Sequence, residues 1–344
     1  MPAARWSATP RRAGVPFADG ARSARPTLGV RPASYRAAVR DAPLIIVLNA
    51  GSGHDDKERA EAAIREVLDA AGRRYEIVSP EPKDIATTIA ASVARAGRPG
   101  VLVAADGDGT LNAVASAALE AGWQLGIVPL GTFNFYARDL GIPLDATEAA
   151  RTLVDGTTRD VAIGRVNDRL FLNNASFGLY RKLLEDREEV KHRFGRYRFI
   201  AAFAALWTLW RHRRNYRLRL TLDGQVEHWR TPMVFFGLNA LQLEKLALQI
   251  ADCVAADRLA VIAPPPLPRW RLLGLAVKGA MHQLEDERDL ACRCVTRVAL
   301  DWPGHRRARV AVDGETFECT LPLTVEVKPR ALTVLVPRRP EPRE

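Results

Sequence analysis

Val101-Leu102-Val103-Ala104-Ala105-Asp106-Gly107-Asp108-Gly109-Thr110-Leu111-Asn112 is an apolar run that closes on two glycines bracketing a carboxylate, then a hydroxyl. Helical spacing resumes at Leu111 and continues to Leu119. The order is strand, tight turn, helix. Glycine lets a backbone approach a ligand closely or take positive φ. The helix that follows offers free N–H groups and the positive end of its dipole, which suit phosphate. Asp108 in such a loop would repel phosphate directly, so its functional role would run through Mg²⁺, directly or through water. The plainer reading is a βα turn with two glycines for geometry and a solvated Asp, and short Gly-rich motifs do not separate the two.

Two neighbouring segments carry the same signature. Asn49-Ala50-Gly51-Ser52-Gly53 follows the apolar strand from Leu44 to Leu48 and precedes a helix starting near Asp55. Pro129-Leu130-Gly131-Thr132-Phe133-Asn134 follows a short strand from Leu125 to Val128. Three strand ends thus bear small, hydroxyl or amide residues. In an open parallel sheet such loops emerge together at the carboxyl edge, where ligands bind. The pattern from residue 43 to 164 alternates throughout: strands at 44–48, 75–78, 101–104 and 125–128, helices at 57–71, 85–96, 111–121 and 146–155. Alternating βα units predict a doubly wound parallel sheet. After Gly164 the texture turns to short strands with polar alternation, interrupted by helical stretches at 179–213 and 267–282. That reads as a second, mainly antiparallel β-sandwich domain.

Taken together the motifs resemble the diacylglycerol kinase catalytic-domain family, which includes bacterial lipid kinases and the sphingosine and ceramide kinases. That family carries Asn-Pro-x-Ser-Gly, Gly-Gly-Asp-Gly-Thr and Pro-Leu-Gly-Thr-x-Asn in this order. A fourth element, Val312-Asp313-Gly314-Glu315, sits where the family has its C-terminal Asp-Gly-Glu. The resemblance runs over roughly residues 43 to 337. It implies an α/β nucleotide-binding domain at 43–164, a β-rich lipid-substrate domain at 165–330, and a tail at 331–344 that returns toward the first domain. It also implies ATP and Mg²⁺ as cofactors and a lipid at a membrane surface as substrate.

Phosphoryl transfer needs a phosphate cradle, a divalent cation and a base beside the acceptor hydroxyl. The cradle candidates are Asn49, Gly51, Ser52, Gly53, Asp106, Gly107, Gly109, Thr110, Asn112, Thr132 and Asn134. Ser79, at the end of the second strand, stands where the family usually has a Thr near the nucleotide; a turn-forming Ser beside Pro80 explains it equally well. Asp108 is the metal candidate. By resemblance one of Asp313 and Glu315 takes the proton from the lipid hydroxyl, and the residues alone do not say which. A hairpin turn is the competing account of Asp313-Gly314, a common turn dipeptide. Asn173, Asn174 and Ser176 form a polar cluster that either shapes a cleft or caps a helix after Gly178.

The departures from the family pattern have physical consequences. Ala50 replaces a proline. Asp106 replaces the first glycine of its motif and adds a second negative charge beside the phosphate site, weakening nucleotide binding unless it points away or joins the metal. Phe133 and Phe135 replace a frequent Gly and an Asp or His, where they can narrow the adenine side or stack on the base. A non-catalytic nucleotide or lipid sensor therefore stays open, as does an NAD-kinase-like enzyme with a related Asp-Gly-Asp-Gly-Thr loop.

Length and charge set the outer limits. The 344 residues are enough for two cores. The net charge of +10 suits an anionic partner, but residues 1–42 hold eight Arg against two Asp and account for much of it. That Ala-, Arg- and Pro-rich leader is expected to be disordered. The four cysteines (253, 292, 294, 319) show no paired zinc spacing and no secreted disulfide framework, so a reducing cytoplasm is the default. The run from Ile200 to Trp210 is too short for the roughly twenty residues of a membrane span. Flanked by Arg and bearing Trp, it either lies in a bilayer interface or packs as a buried helix. No base-stacking array points to nucleic acid; a homodimer stays open.

Overall fold

This computed structural model describes residues 42–48, 54–178, 215–245, 250–266 and 290–341. The chain divides into two compact units, one ending at Ala162 and resumed by Arg330–Glu344, the other Ile163–Pro329.

The first unit is built on four parallel strands: β1 (Leu44–Leu48), β2 (Tyr75–Val78), β3 (Val101–Asp106) and β4 (Gln124–Pro129), in the order β2-β1-β3-β4. Every residue of β1 is buried, as are the first five of β3. Strands covered by helices on both faces lose the polar alternation of a half-exposed sheet, which is why these read as continuous apolar runs. The crossovers are α1 (His54–Ala70), α2 (Ile85–Ala96) and α3 (Asp108–Ala121), followed by a short α4 (Phe135–Asp139) and α5 (Ala146–Asp155). Helix α2 buries Ile85, Ile89 and Ser92, one helical stripe, and ends at Gly97 in the left-handed region. Helix α5 is capped by the Asp145 carboxylate, which accepts from the N–H groups of Thr147 and Glu148. Residues Arg330–Val336 close the unit: they are the end of β16 (Leu323–Val336), where Val334 pairs in parallel with Leu125 of β4.

The second unit contains two antiparallel sheets. One runs β16-β13-β8-β9, through β13 (Arg297–Asp301), β8 (Tyr216–Leu222) and β9 (Gln225–Thr231). The other runs β12-β11-β10-β7-β14-β15. Its strands are β7 (Asn174–Gly178), β10 (Met233–Gly237), β11 (Leu259–Ala263), β12 (Ala291–Val295), β14 (Arg307–Val312) and β15 (Glu315–Thr320). The remaining strands are β5 (Thr157–Val166), which carries the chain into this unit, and β6 (Arg169–Phe171), paired to it. The two sheets touch through Phe177, whose ring meets Tyr216 edge-on at 4.8 Å, and through the Arg293–Glu227 ion pair at 3.0 Å.

The expected mixed fold, a parallel α/β sheet followed by antiparallel β structure, is what the chain adopts. Details differ. Residues 174–178 form a buried central strand, and 291–295 and 297–301 form two further strands. Two short helices, α6 (Ala240–Lys245) and α7 (Ala251–Ala255), went unread. The helical stretches expected at 179–213 and 267–282 lie outside the described residues, as do the leader and the run from Ile200 to Trp210. Cys253 of α7 and Cys294 of β12 are joined by a disulfide with a Cα–Cα distance of 5.6 Å, leaving Cys292 and Cys319 as thiols. Forty-one residues separate the pair in sequence, so no local spacing announces it.

Candidate active site

Strand register gathers the loops of the first unit. Leu48 of β1 lies beside Ala105 of β3, and Asp106 beside Pro129 of β4, so the loops after these strands leave from one edge. The chain runs from β1 outward to β2, then returns to β3 on the other side of β1. The order therefore reverses between β1 and β3, the kind of position where open α/β sheets hold ligands. Asn49, Gly51, Ser52 and Gly53, in the loop after β1, lie outside the described residues. Ser79 follows β2 at the same edge and is exposed.

Helix α3 begins three residues earlier than its apolar pattern suggested. Gly107 is its N-cap with extended backbone (φ −85°, ψ −175°), and Asp108, Gly109 and Thr110 form its first turn. The first helical bond recorded runs from the Leu111 N–H to the Gly107 carbonyl at 3.1 Å. The N–H groups of Asp108, Gly109 and Thr110 precede that bond, at the end of a helix that suits an anion. Asp108 adds a carboxylate in the first turn, which the dipole favours. Asn112 follows on the same helix, half-buried.

Asp106 has a local partner. Its Oδ2 accepts the Thr110 hydroxyl at 2.5 Å, so the extra carboxylate is tied to the first turn of α3. Thr110 is itself buried. The hydroxyl counted as a phosphate ligand is thus spent, at least in part, on orienting Asp106.

The loop after β4 packs against this turn backbone to backbone. A Cβ on Gly131 would stand 2.6 Å from the Gly107 Cα and 2.8 Å from the Asn134 Oδ1. Only glycine permits that approach. Asn134, buried and left-handed at φ 50°, locks the turn reciprocally: its Oδ1 accepts the Gly131 N–H at 3.1 Å and its Nδ2 donates to the Gly131 carbonyl at 2.7 Å. Asn134 therefore shapes the loop, while Thr132 beside it is exposed. Gly131 itself was missed as a site residue; the signal was the Gly-Thr-x-Asn spacing, which puts an amide three residues after a glycine. Phe133 and Phe135 flank Asn134 with nearly parallel rings, 5.6 Å between centroids.

The acidic pair lies in the other unit. Asp313 and Gly314 form the two-residue turn of the β14–β15 hairpin, both at positive φ (45° and 93°), the geometry of a type I′ turn. The Asp313 carboxylate accepts three backbone N–H groups: Leu172 at 2.7 Å, and Asn173 and Asn174 at 2.9 Å each. It pins the β6–β7 connection to the hairpin. Asn173 accepts from the Asn239 amide at 2.8 Å, and Asn174 donates to Gln242 at 2.9 Å, so the polar cluster read from sequence is a buried network around that staple. Glu315, the first residue of β15, is exposed.

Known proteins share this plan. Residues 43–166 match the model of the diacylglycerol kinase catalytic domain. They are similar to that domain. The chain is 38% identical over 153 residues to a probable YegS-like lipid kinase of Pseudomonas aeruginosa, covering 44% of this chain and 48% of the relative. It is 37% identical over 123 residues to a diacylglycerol kinase of Bacillus subtilis, covering 33% and 41%. The matched region thus spans about half the length of these curated relatives or less. A putative diacylglycerol kinase from Bacillus anthracis has the same fold, with a TM-score of 0.65 at 19% identity over 87% of this chain and 98% of that one. The kinase-domain match begins one residue before β1 and ends with β5, so it contains the first unit's parallel strands β1–β4 and the described residues that follow each.

A divalent cation fits the donors present. Asp106 and Asp108 stand two residues apart at the helix start, and no cluster of three or more His, Cys, Asp or Glu occurs among the described residues. Two carboxylates suit Mg²⁺, which takes its other ligands from phosphate and water.

Proposed function

We propose that the protein is a lipid kinase that transfers the γ-phosphate of ATP, with Mg²⁺, to a hydroxyl of diacylglycerol or a related lipid. The observation that carries the reading is the glycine contact: Gly107 and Gly131 bring two loops into close backbone approach beside the start of α3, next to the reversal of strand order. A rigid cluster of outward N–H groups at that place is what a polyphosphate requires.

In this reading the N–H groups of Asp108, Gly109 and Thr110 hold phosphate oxygens, with Thr132 adding a hydroxyl. Asn49, Gly51, Ser52, Gly53, Ser79 and Asn112 are the remaining candidates for nucleotide contact. Asp108, with Asp106 oriented by Thr110, holds the metal, which neutralises phosphate charge when bound. Of the acidic pair, Glu315 is the better base. Asp313 already accepts three N–H groups, which occupy most of its acceptor sites, whereas Glu315 is exposed. The activity, the substrate and a working place at a membrane surface are part of this proposal. Among the described residues no helix is long and apolar enough to cross a membrane.

Labelled ATP offered with a panel of lipids tests the reading directly: label in a diacylglycerol or sphingoid product, lost without Mg²⁺, is expected. Asp106 favours one other reading, a protein that binds nucleotide without turnover. Nucleotide binding with no labelled product across the panel would select it.

A further inference from the structure

Phe133 is the one exposed large aromatic among the described residues, with 45% of its surface open. Single exposed apolar residues are common and need no explanation by themselves. This one is held in place from three sides. Its carbonyl accepts the Arg138 Nε at 3.1 Å, its neighbour Asn134 is locked onto Gly131, and the Phe135 ring stacks parallel to its own. A floppy surface side chain would lose entropy on meeting a ligand; a ring fixed this way has little left to lose.

Its position is also defined. Phe133 lies two residues beyond Gly131, which touches Gly107 at the start of α3. Neighbouring strands are about 4.8 Å apart, so the Phe133 loop is one strand over from the phosphate-facing N–H groups, within the span of a nucleoside. Aromatic rings bind flat π-systems by offset stacking, and base–aromatic stacking is tolerant of base identity.

We propose that Phe133, backed by Phe135, stacks on the nucleobase and gives the site its preference for a nucleoside triphosphate over bare polyphosphate. The inference rests on the kinase reading above and assigns that site's base-binding contact.

The test is calorimetric titration of the full chain with ATP and, separately, with inorganic tripolyphosphate, for wild type, Phe133→Ala and Phe133→Trp. Wild type should bind ATP more tightly than tripolyphosphate. Phe133→Ala should weaken ATP about tenfold and leave tripolyphosphate unchanged, and Phe133→Trp should keep the wild-type preference. Equal weakening of both ligands, or no change in ATP affinity, overturns the proposal while leaving the kinase reading intact. So does a loss confined to lipid vesicle binding, which would assign the ring to the bilayer. A wild-type protein that binds neither ligand and transfers no label removes both. Because Phe133 is exposed, the variant's melting temperature should match wild type, separating lost stacking from lost folding.

Discussion

Adding one methyl group at Gly131 should disable the phosphate edge without unfolding the domain. The new Cβ would lie 2.6 Å from the Gly107 Cα and 2.8 Å from the Asn134 Oδ1. Carbon atoms in contact settle at about 3.5–4.0 Å, so the two loops must separate by about 1 Å. Neither obstacle is the far end of a flexible side chain. One is backbone, and the other is the amide oxygen that accepts the Gly131 N–H at 3.1 Å. Overpacking of this kind costs about 1–3 kcal/mol, roughly 3–9 °C in melting temperature for a domain of this size. The effect on chemistry should be larger, because a misplacement of about 1 Å in a positioned site can cost about a hundredfold in rate. Gly97→Ala is the matched control. Gly97 sits at φ +62° with nothing within 4 Å of its Cβ position, so alanine there costs roughly 1–2 kcal/mol of backbone strain far from the strand-end loops. The measurements are melting temperature and kcat/KM for phosphoryl transfer on both variants. Similar losses of stability are expected, with activity lost only in Gly131→Ala. Wild-type transfer by Gly131→Ala would show that the glycine contact does not position the phosphate, and the reasoning would fail at its first step.

Replacing Asp313 by Ala strands three backbone N–H groups at about 1–3 kcal/mol for each one buried, so thermal unfolding should show a loss of at least about 3 kcal/mol. Glu315→Gln should leave the melting temperature unchanged and lower kcat by about 10²–10⁴-fold; a fully active Glu315→Gln enzyme would return the base to Asp313. Reducing the Cys253–Cys294 bond, or Cys253→Ser, should destabilise the second unit by about 2–4 kcal/mol, the range for closing a loop of this length, read as a shift in unfolding midpoint with dithiothreitol. The Cys319 thiol is pushed up to about 11 by burial and by the neighbouring Glu318. Its thiolate fraction at pH 8 is therefore about 0.1%, and alkylation by iodoacetamide should stay slow until the pH approaches 11. The sign follows for stability too. A raised thiol contributes stability that is present below the unfolded value near 9 and lost as pH rises through 11, so wild type should lose stability relative to Cys319→Ser across that window.

Much of the strand–turn–helix after β3 could be read from residues because its logic is local. A strand ending in Asp-Gly-Asp-Gly-Thr must turn, and a helix starting there must present N–H groups whatever the rest of the chain does. The same locality made the helix start read late: Asp108 and Gly109 are poor helix formers by propensity, yet Asp is favoured in a first turn and Gly107 serves as its cap. What stayed hidden was pairwise and distant. Nothing within the Pro-Leu-Gly-Thr segment says that Gly131 must admit the Gly107 backbone, and nothing near Asp313 says that Leu172, Asn173 and Asn174 will aim their N–H groups at its carboxylate across about 140 residues.

That second case shows how one motif can carry two accounts at once. Asp-Gly at a hairpin tip was offered two accounts, a turn and a catalytic acid, as if they competed. The structure makes Asp313 a turn residue at φ 45° and also gives its carboxylate a structural task, leaving Glu315 as the exposed partner. A two-residue turn fixes where the next side chain begins, so a well-held Asp313 is what would give Glu315 a defined position. On this view the pair is one device with divided labour. The two variants above should then separate: stability should follow position 313, and turnover should follow position 315.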